Sequence, residues 1–264
     1  MSANLTSASD VRLLPLGDAA WTVEFGSTID PAIHARVLGL AEALEQARLI
    51  SRGGEACGRE FDGIVDVVPT FRSLTIHYDP LRTDAIRLGE ALCALAAASG
   101  VKPAHGRRWG LPVCFDDEFA PDLADLAASK GMTTADVVQM MTTTEFQVYM
   151  IGFMPGFPYM GGLPPALHMP RLSSPRKAVP ERSLAVAGEM CAVYPWESPG
   201  GWRLLGRTPV PMFSAREAAS PALLASGDRV FWQAIARSEF IELEAAGRAG
   251  TLDRQQFLLG SESV

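Results

Sequence analysis

Short apolar segments separated by proline and glycine fill the chain from Glu145 onward, and this pattern restricts that half to a fold of many short strands. Strand-like runs that are interrupted by turn residues at close intervals are typical of a β-barrel or a β-sandwich. The predicted strands there are 147–151, 183–187, 191–194, 203–205 and 229–232. With 24 glycines and 19 prolines among 264 residues, the chain carries too many turn formers for a helical bundle.

The first hundred residues follow a different pattern, in which two strands, a helix, two strands and a second helix succeed one another. Asp30 and Pro31 supply an N-cap and a first-turn proline, and apolar residues then recur at positions 33, 37, 40 and 44. This order predicts an α/β sandwich of the ferredoxin-like kind. The predicted class is therefore α+β, with domains at 1–104 and 105–240 and a C-terminal helix and tail at 241–264.

Net charge and hydropathy exclude several kinds of protein. A net charge of −7 and a pI near 5.2 argue against a nucleic-acid partner. The first ten residues are polar, unlike a signal peptide, and the longest clean apolar stretch, 91–98, is far shorter than a membrane span. The four cysteines form no CxxC pair, and the four histidines lack the spacing of metal ligands. We therefore expect a cytoplasmic protein with reduced cysteines, no membrane partner and no metal site.

The most unusual segment is 152–165, GFMPGFPYMGGLPP, in which eight of fourteen residues are glycine or proline. Glycine allows close backbone approach and proline fixes the path of the chain, so a rigid loop of this kind can present aromatic side chains to a pocket. The aromatic residues of this loop are Phe153, Phe157 and Tyr159, of which Phe157 and Tyr159 are taken as substrate-binding candidates. Alternatively, these rings fill a hydrophobic core at a structural crossover.

A positive island within an acidic chain is the second signal, because residues 171–207 carry six basic side chains against three glutamates, a net charge of +3. Arginine forms bidentate contacts with carboxylate and phosphate groups, so we expect a small anion as ligand, although charge runs are more often solvated surface. Within the island, Ser198-Pro-Gly-Gly-Trp202 is either a backbone nest for an anion or a hairpin turn.

Several motifs of cofactor and nucleophile chemistry are missing from the sequence. It contains no GxxxxGK[ST] phosphate loop, no GxGxxG after a strand and no GxSxG elbow. It also lacks a Met-Lys-Met triplet, where biotin is usually attached. The residues by themselves thus indicate a two-domain protein with an anion pocket.

Motifs of glycine, proline and arginine occur in a fixed order between residues 67 and 209. They are Val67-Val-Pro69, Arg72-Ser-Leu74, His77-Tyr-Asp-Pro80, the segment 152–164, Pro170-Arg171, Pro175-Arg176, Val179-Pro180, Ala187-Gly188, Tyr194-Pro195, Ser198-Pro-Gly-Gly-Trp202 and Gly206-Arg-Thr-Pro209. Together they resemble the allophanate hydrolase subunit 1 family. That family includes the PxpB subunit of bacterial ATP-dependent 5-oxoprolinase, the KipI-type kinase inhibitors and part of the carboxyltransferase region of urea carboxylase.

The resemblance implies an N-terminal α/β domain, a C-terminal cyclophilin-like β-barrel and a subunit that does not act alone. The implied enzyme is 5-oxoprolinase, which opens 5-oxoproline to glutamate at the expense of ATP. The implied partners are a homologous second barrel subunit (allophanate hydrolase subunit 2, PxpC-like) and a lactam-handling subunit (PxpA-like), with ATP shared between chains and no biotin on this one. Two alternatives stay open: a subunit related to allophanate hydrolase or urea carboxylase, and a non-enzymatic inhibitor of a sensor histidine kinase.

The implied reaction needs cations that hold the charge developing on phosphate and carboxylate groups. The candidates for this catalytic role in the present chain are Arg171, Arg176 and Lys177. Substrate binding is assigned to Phe157, Tyr159, Ser198, Gly200, Gly201 and Arg207. The chain departs from the family pattern at Met141, where a histidine is common, and we expect this change to alter the substrate or reduce the activity.

Overall fold

The computed structural model describes residues 11–52, 59–99, 106–217 and 220–260. The chain divides into two compact units, Met1–His105 and Gly106–Val264. In the described residues of the first unit, four strands and two helices follow in the predicted order. They are β1 (Arg12–Pro15), β2 (Ala20–Glu24), α1 (Pro31–Arg52), β3 (Ile64–Pro69), β4 (Ser73–Tyr78) and α2 (Ala85–Ala98).

Both helices of the first unit begin at an aspartate that caps them. The Asp30 carboxylate accepts two backbone N–H groups of the first turn of α1, at 2.7 and 3.3 Å. Asp84 does the same for α2, at 2.9 and 3.0 Å. These bonds satisfy donors that have no partner within the helix. Along α1 the apolar face is buried at Val37, Leu40 and Leu44, as the spacing predicts.

The four strands of the first unit form one antiparallel sheet in the order β1-β2-β4-β3. Along β4, buried and half-buried residues alternate, and the buried ones are Leu74, Ile76 and Tyr78. These side chains pack with the buried faces of α1 and α2 into one hydrophobic core. The unit is therefore a two-layer arrangement of helices on a sheet.

In the described residues of the second unit, ten strands and three helices follow one another. They are β5 (Arg108–Val113), α3 (Leu123–Lys130), α4 (Thr134–Thr143), β6 (Glu145–Ile151), β7 (Pro158–Gly161), β8 (Arg176–Val179), β9 (Ser183–Ala187), β10 (Met190–Val193), β11 (Ser198–Gly200), β12 (Arg203–Arg207), β13 (Arg229–Ala234), α5 (Arg237–Ala249) and β14 (Leu258–Leu259).

Eight of these strands form one sheet in the order β12-β9-β10-β7-β6-β13-β5-β14, while β8 pairs with β11 separately. The pairing of β5 with β13 is parallel, and the other pairings are antiparallel. A further bridge joins Cys114, just after β5, to Arg207 at the end of β12 through two backbone hydrogen bonds of 2.9 and 3.0 Å. One large apolar core lies between this sheet and the helices α3 and α4.

The sequence prediction missed four strands of the second unit. β7 lies inside the glycine- and proline-rich segment, β8 and β11 lie inside the positive island, and β14 lies in the stretch 241–264 that was predicted as a helix and tail. Residues 198–200 form a strand in which Ser198 lies opposite Val179 and Gly200 opposite Arg176, so neither a nest nor a hairpin turn describes them. Proline and glycine, which occur in β7 and β11, have low strand propensity, and these two strands are set by their partners instead.

The described C-terminal residues pack onto the second unit, and the predicted boundary at 241 falls within a helix. α5 begins at Arg237 and buries Phe240. After it, β14 pairs with β5, with Leu258 opposite Trp109. This segment belongs to the second unit because it contributes both to the sheet and to the buried apolar surface.

Candidate functional site

A cavity of about 280 Å³ opens on the second unit, and it is lined by aromatic rings, prolines, glycines and one arginine. The lining residues are Phe153, Phe157, Tyr159, Arg171, Pro175, Tyr194, Pro199, Gly200, Gly201 and Trp202. The structure thus brings together the two separate sequence signals, the aromatic loop and the positive island. Five of the sequence-predicted site residues lie on this wall: Phe157, Tyr159, Arg171, Gly200 and Gly201.

Phe157 lies at the centre of the aromatic wall. Its side chain is 1% exposed, and its ring centroid lies 4.8 Å from that of Tyr159, 5.1 Å from that of Tyr194 and 6.1 Å from that of Trp202. Such tilted and edge-on contacts suit the quadrupoles of aromatic rings. Phe157 belongs to a hydrophobic core cluster as well as to the cavity wall, so both interpretations of the loop apply to it.

Phe153 holds an unusual position at the rim of the cavity. Its backbone has a φ of 68°, in the left-handed region that favours glycine, and its side chain is 64% exposed. A non-glycine residue in this region costs about 1 kcal/mol or more, and such strain is often found at ligand sites. The ring meets Phe157 edge-on at 5.4 Å, which keeps an aromatic face at the cavity entrance.

Arg171 supplies the positive charge of the cavity. It is exposed, and its guanidinium carbon lies 5.8 Å from the ring centroid of Trp202, within reach of a cation–π contact. Burial raises the pKa of Tyr159 and of Tyr194, while the nearby Arg171 acts in the opposite direction. Both phenols therefore stay protonated near neutral pH, and the Tyr194 hydroxyl can donate a hydrogen bond to a ligand.

Gly200 allows the backbone itself to form part of the wall. A Cβ atom at position 200 would lie 2.3 Å from the phenolic oxygen of Tyr194, which leaves no room for a side chain. At Gly201 the nearest atoms would lie at 3.7 Å, an ordinary contact. The glycine at position 200 is therefore required by the close approach of β11 to Tyr194.

Arg176 does not line the cavity, because its guanidinium is bound to a buried carboxylate. Its Nη2 lies 2.7 Å from Oδ1 of Asp122, and its Nη1 donates to the backbone oxygen of Trp202 at 3.4 Å. The other oxygen of Asp122 accepts the backbone N–H of Leu204 at 2.7 Å. This ion pair connects the segment before α3 to β12 and to Trp202, so Arg176 holds the wall in place.

Replacing Asp122 by alanine is expected to lower the free energy of unfolding by about 3 kcal/mol, because the Leu204 N–H group loses its partner and the Arg176 guanidinium loses its carboxylate. Urea unfolding followed by circular dichroism measures the change. Asp117→Ala, at an exposed aspartate nearby, is the matched control and should change the value by less than about 0.5 kcal/mol. Equal stability of the two variants would show that the Asp122–Arg176 ion pair and the Asp122–Leu204 hydrogen bond do not stabilise the unit.

The other predicted residues lie outside the cavity wall. Lys177 is exposed on β8, and the hydroxyl oxygen of Ser198 is buried without a hydrogen-bond partner. The Arg207 Nε donates to the backbone oxygen of Glu181 at 2.8 Å, and burial together with the nearby Arg182 lowers the pKa of Arg207. The basic residues of the positive island thus make separate local contacts and do not form one anion site. The functional roles of these three residues stay predictions.

Sequence expectations about metals, membranes and cysteines can be compared with the described part of the chain. Within it, no group of three or more histidine, cysteine, aspartate or glutamate side chains is placed to hold a metal ion. Its helices are too short or too polar to cross a membrane. Cys114 and Cys191 are buried, and burial raises the pKa of both thiols; Cys57 lies outside the described residues. Met141 is fully buried in the core and does not line the cavity.

Comparison with known proteins assigns a family to most of the chain. Residues 11–224 match the family described as carboxyltransferase domain, subdomain C and D. The chain belongs to this family. A 5-oxoprolinase subunit of Bacillus subtilis (strain 168) is 33% identical over 239 residues, which make up 85% of this chain and 93% of that protein. The corresponding 5-oxoprolinase subunit of Haemophilus influenzae is 40% identical over 167 residues, 63% of this chain and 78% of that protein.

Solved structures of larger proteins contain the same carboxyltransferase-type fold. The crystal structure of TTHA0988 superposes with a TM-score of 0.68 at 32% identity and covers 82% of this chain but 40% of that one. Kluyveromyces lactis urea carboxylase gives a TM-score of 0.73 at 20% identity and covers 97% of this chain and 25% of that one. This chain thus spans about two fifths of the first protein and a quarter of the second. The likeness to urea carboxylase shows a shared fold alone.

Sequence reasoning missed two large contributors to the wall, namely Tyr194 and Trp202, which lie inside the positive island. Phe153 was noted as an aromatic residue of the loop but was not included among the substrate-binding candidates. The signal that could have found them is an aromatic residue directly beside a proline or glycine turn, as in Tyr194-Pro195 and Gly201-Trp202.

Proposed function

We propose that this chain is a non-autonomous subunit of 5-oxoprolinase, the enzyme that converts 5-oxoproline, ATP and water to glutamate, ADP and phosphate. The observation that carries the proposal is the cavity in which Arg171 stands against a wall of aromatic rings. The two relatives that are 5-oxoprolinase subunits by name, one of them aligned over 93% of its length, support the same conclusion.

The chemistry of 5-oxoproline fits the described wall. The molecule is a small lactam ring that bears one carboxylate, and the planar guanidinium of Arg171 can bind a carboxylate through two hydrogen bonds. The lactam ring then packs against Tyr159 and Trp202, beside the backbone of Gly201, where no side chain covers the chain. The protonated Tyr194 hydroxyl lies on the same wall and can donate a hydrogen bond to a polar atom of the bound lactam.

ATP, the second substrate, does not fit this cavity in the same way. Among its described lining residues Arg171 is the one cationic side chain, whereas a triphosphate is usually held by several cations or by a row of backbone N–H groups. We therefore propose that ATP is shared with partner subunits. The partners are a homologous second barrel subunit and a lactam-handling subunit, and this chain carries no biotin.

We further propose that the first unit is ferredoxin-like and the second a cyclophilin-like barrel. The sheet order β1-β2-β4-β3 supports the ferredoxin-like assignment of the first unit. If β1 is counted after α2 instead of before β2, the elements follow one another as βαββαβ, with the strand order that is usual for ferredoxin-like folds. The bridge from Cys114 to Arg207 supports the second, because it links β5 to β12 across the open side of the large sheet.

Reconstitution tests the proposed function. The chain, combined with its two partner subunits, is expected to release glutamate from 5-oxoproline only when ATP is present, and omission of this chain should abolish that release. Allophanate in place of 5-oxoproline should give no ATP-dependent product. Turnover of allophanate instead would favour the urea-related alternative, and a complex that is inactive with both compounds would contradict the enzymatic assignment.

A further inference from the structure

A second cavity, of about 160 Å³, lies in the second unit and shares no lining residue with the first. One side of it is apolar and aromatic. The Trp196 side chain is 44% exposed, and its ring centroid lies 6.0 Å from that of Phe213, with Pro195 and Pro211 completing the wall. An exposed tryptophan over a proline-lined hollow offers a flat apolar surface of the size of one ring system.

The other side of the second cavity is charged. The Arg182 side chain is buried, and its Nη2 lies 2.7 Å from a carboxylate oxygen of Glu181 and 2.7 Å from one of Glu244. The same Glu244 oxygen lies 3.4 Å from the guanidinium of Arg248, which is 70% exposed at the rim. A third guanidinium, that of Arg207, lies behind Glu181, and its Nε donates a hydrogen bond to the backbone oxygen of Glu181.

Three arginines thus lie near two glutamates, although Arg207 does not line the cavity itself, and this leaves a surplus of one positive charge in a partly buried place. Burial is the main cause of the lowered pKa of Arg207; the charge of Arg182 adds to it, while Glu244 and Glu181 act in the opposite direction. A bound anion would offset the surplus charge, and the exposed Arg248 is the group best placed to meet that anion.

The backbone at Arg182 shows that this arrangement is held under strain. Its φ is 64°, in the left-handed region, although the residue is not glycine. Its Nε is buried without a hydrogen-bond partner, while Nη1 donates to the backbone oxygen of Pro209 at 3.0 Å. Left-handed conformations of residues other than glycine cost about 1 kcal/mol or more and cluster at ligand sites.

We propose that the second cavity binds a small planar aromatic anion, of which a nucleoside monophosphate is the example, with its base against Trp196 and its phosphate at Arg248. The volume of this cavity is below the roughly 300–1,000 Å³ of sites that enclose a whole drug-sized ligand. It suits a single ring system whose charged group stays at the rim. This site is separate from the one assigned to 5-oxoproline, and it does not depend on the proposed function.

Isothermal titration of the full chain with adenosine 5′-monophosphate tests the site. Saturable binding is expected, and Trp196→Ala and Arg248→Ala should each weaken it by about tenfold, through loss of stacking and of a charged contact respectively. Arg237→Ala is the matched control, because this exposed arginine lies on the same helix as Arg248 and pairs with Glu118 at the surface. Adenosine and inorganic phosphate, titrated separately, should each bind at least about tenfold more weakly than the nucleotide.

Three results would overturn the proposal. The first is no saturation by the nucleotide at about 1 mM, and the second is equal affinity in Trp196→Ala, Arg248→Ala and the unmodified chain. The third is binding that is lost in Arg171→Ala, which would place the nucleotide in the first cavity. Because the readout is binding to this chain alone, failure here leaves the reconstitution assay for 5-oxoproline unaffected, and the two can fail independently.

Discussion

Replacement of Asp228 by alanine is expected to lower the free energy of unfolding of the second unit by about 3–5 kcal/mol. The Asp228 carboxylate is buried just before β13 and accepts hydrogen bonds from three other residues. Arg107 donates its backbone N–H and Nη2, both at 2.9 Å, Trp109 donates its indole N–H at 3.0 Å, and Ala225 donates its backbone N–H at 3.0 Å. Alanine leaves the backbone N–H groups of Arg107 and Ala225 and the indole N–H of Trp109 without a partner inside the fold, whereas Nη2 of Arg107 keeps the backbone oxygen of Leu223 at 3.0 Å.

The network around Asp228 also explains why the effect should extend to the sheet. Trp109 is fully buried on β5, which pairs in parallel with β13, and the Arg107 guanidinium carbon lies 4.9 Å from the Trp109 ring centroid. Loss of the carboxylate thus loosens the junction at which β5 and β13 both begin.

Urea unfolding, followed by tryptophan fluorescence and by circular dichroism, measures the loss. Glu118→Ala is the control, because that carboxylate forms an exposed ion pair with Arg237, and it should change the free energy of unfolding by less than about 1 kcal/mol. Asp228→Asn keeps one acceptor oxygen and should fall between the two. If Asp228→Ala matches Glu118→Ala, the network does not stabilise the unit.

Local rules predicted the elements of the first unit well, because the signals there are short in range. The Asp30 cap, the spacing of Val37, Leu40 and Leu44, and the alternation along β4 are all visible within a few residues. In the second unit, β6, β9, β10, β12 and β13 were also predicted, with ends that differ by a few residues. The prediction failed at β7, β8, β11 and β14, and the strand Ser198-Pro-Gly200 shows why, since its conformation is set by its partner β8.

The candidate site was predicted in part, and the missing part depends on contacts between distant residues. Arg171, Arg176 and Lys177 look alike in the sequence, as basic residues beside turns. The structure separates them, because Arg176 meets Asp122, which lies 54 positions earlier, whereas Arg171 lies over Trp202. No local pattern tells which arginine has a buried carboxylate partner. The sequence therefore predicts the positive island, but it does not predict which of its basic residues faces the cavity.

Replacing Arg171 by alanine is the second large effect that we expect. In the reconstituted complex it should reduce kcat/KM for 5-oxoproline by about 10- to 100-fold, because a charged hydrogen bond to the substrate carboxylate contributes about 1.5–3 kcal/mol. The loss should fall mainly on KM, since the carboxylate is bound equally before and during the reaction. Arg171→Lys keeps the charge but not the bidentate geometry, and it should recover part of the affinity.

The KM for 5-oxoproline, measured side by side for the unmodified complex, Arg171→Ala and Arg237→Ala, tests the assignment of the cavity most directly. Arg237 is an exposed arginine in an ion pair on the surface of the same unit, and its replacement removes the same charge outside the cavity. We predict a KM raised by about tenfold or more in Arg171→Ala and an unchanged KM in Arg237→Ala. An unchanged KM in Arg171→Ala would contradict the assignment of this cavity to the substrate.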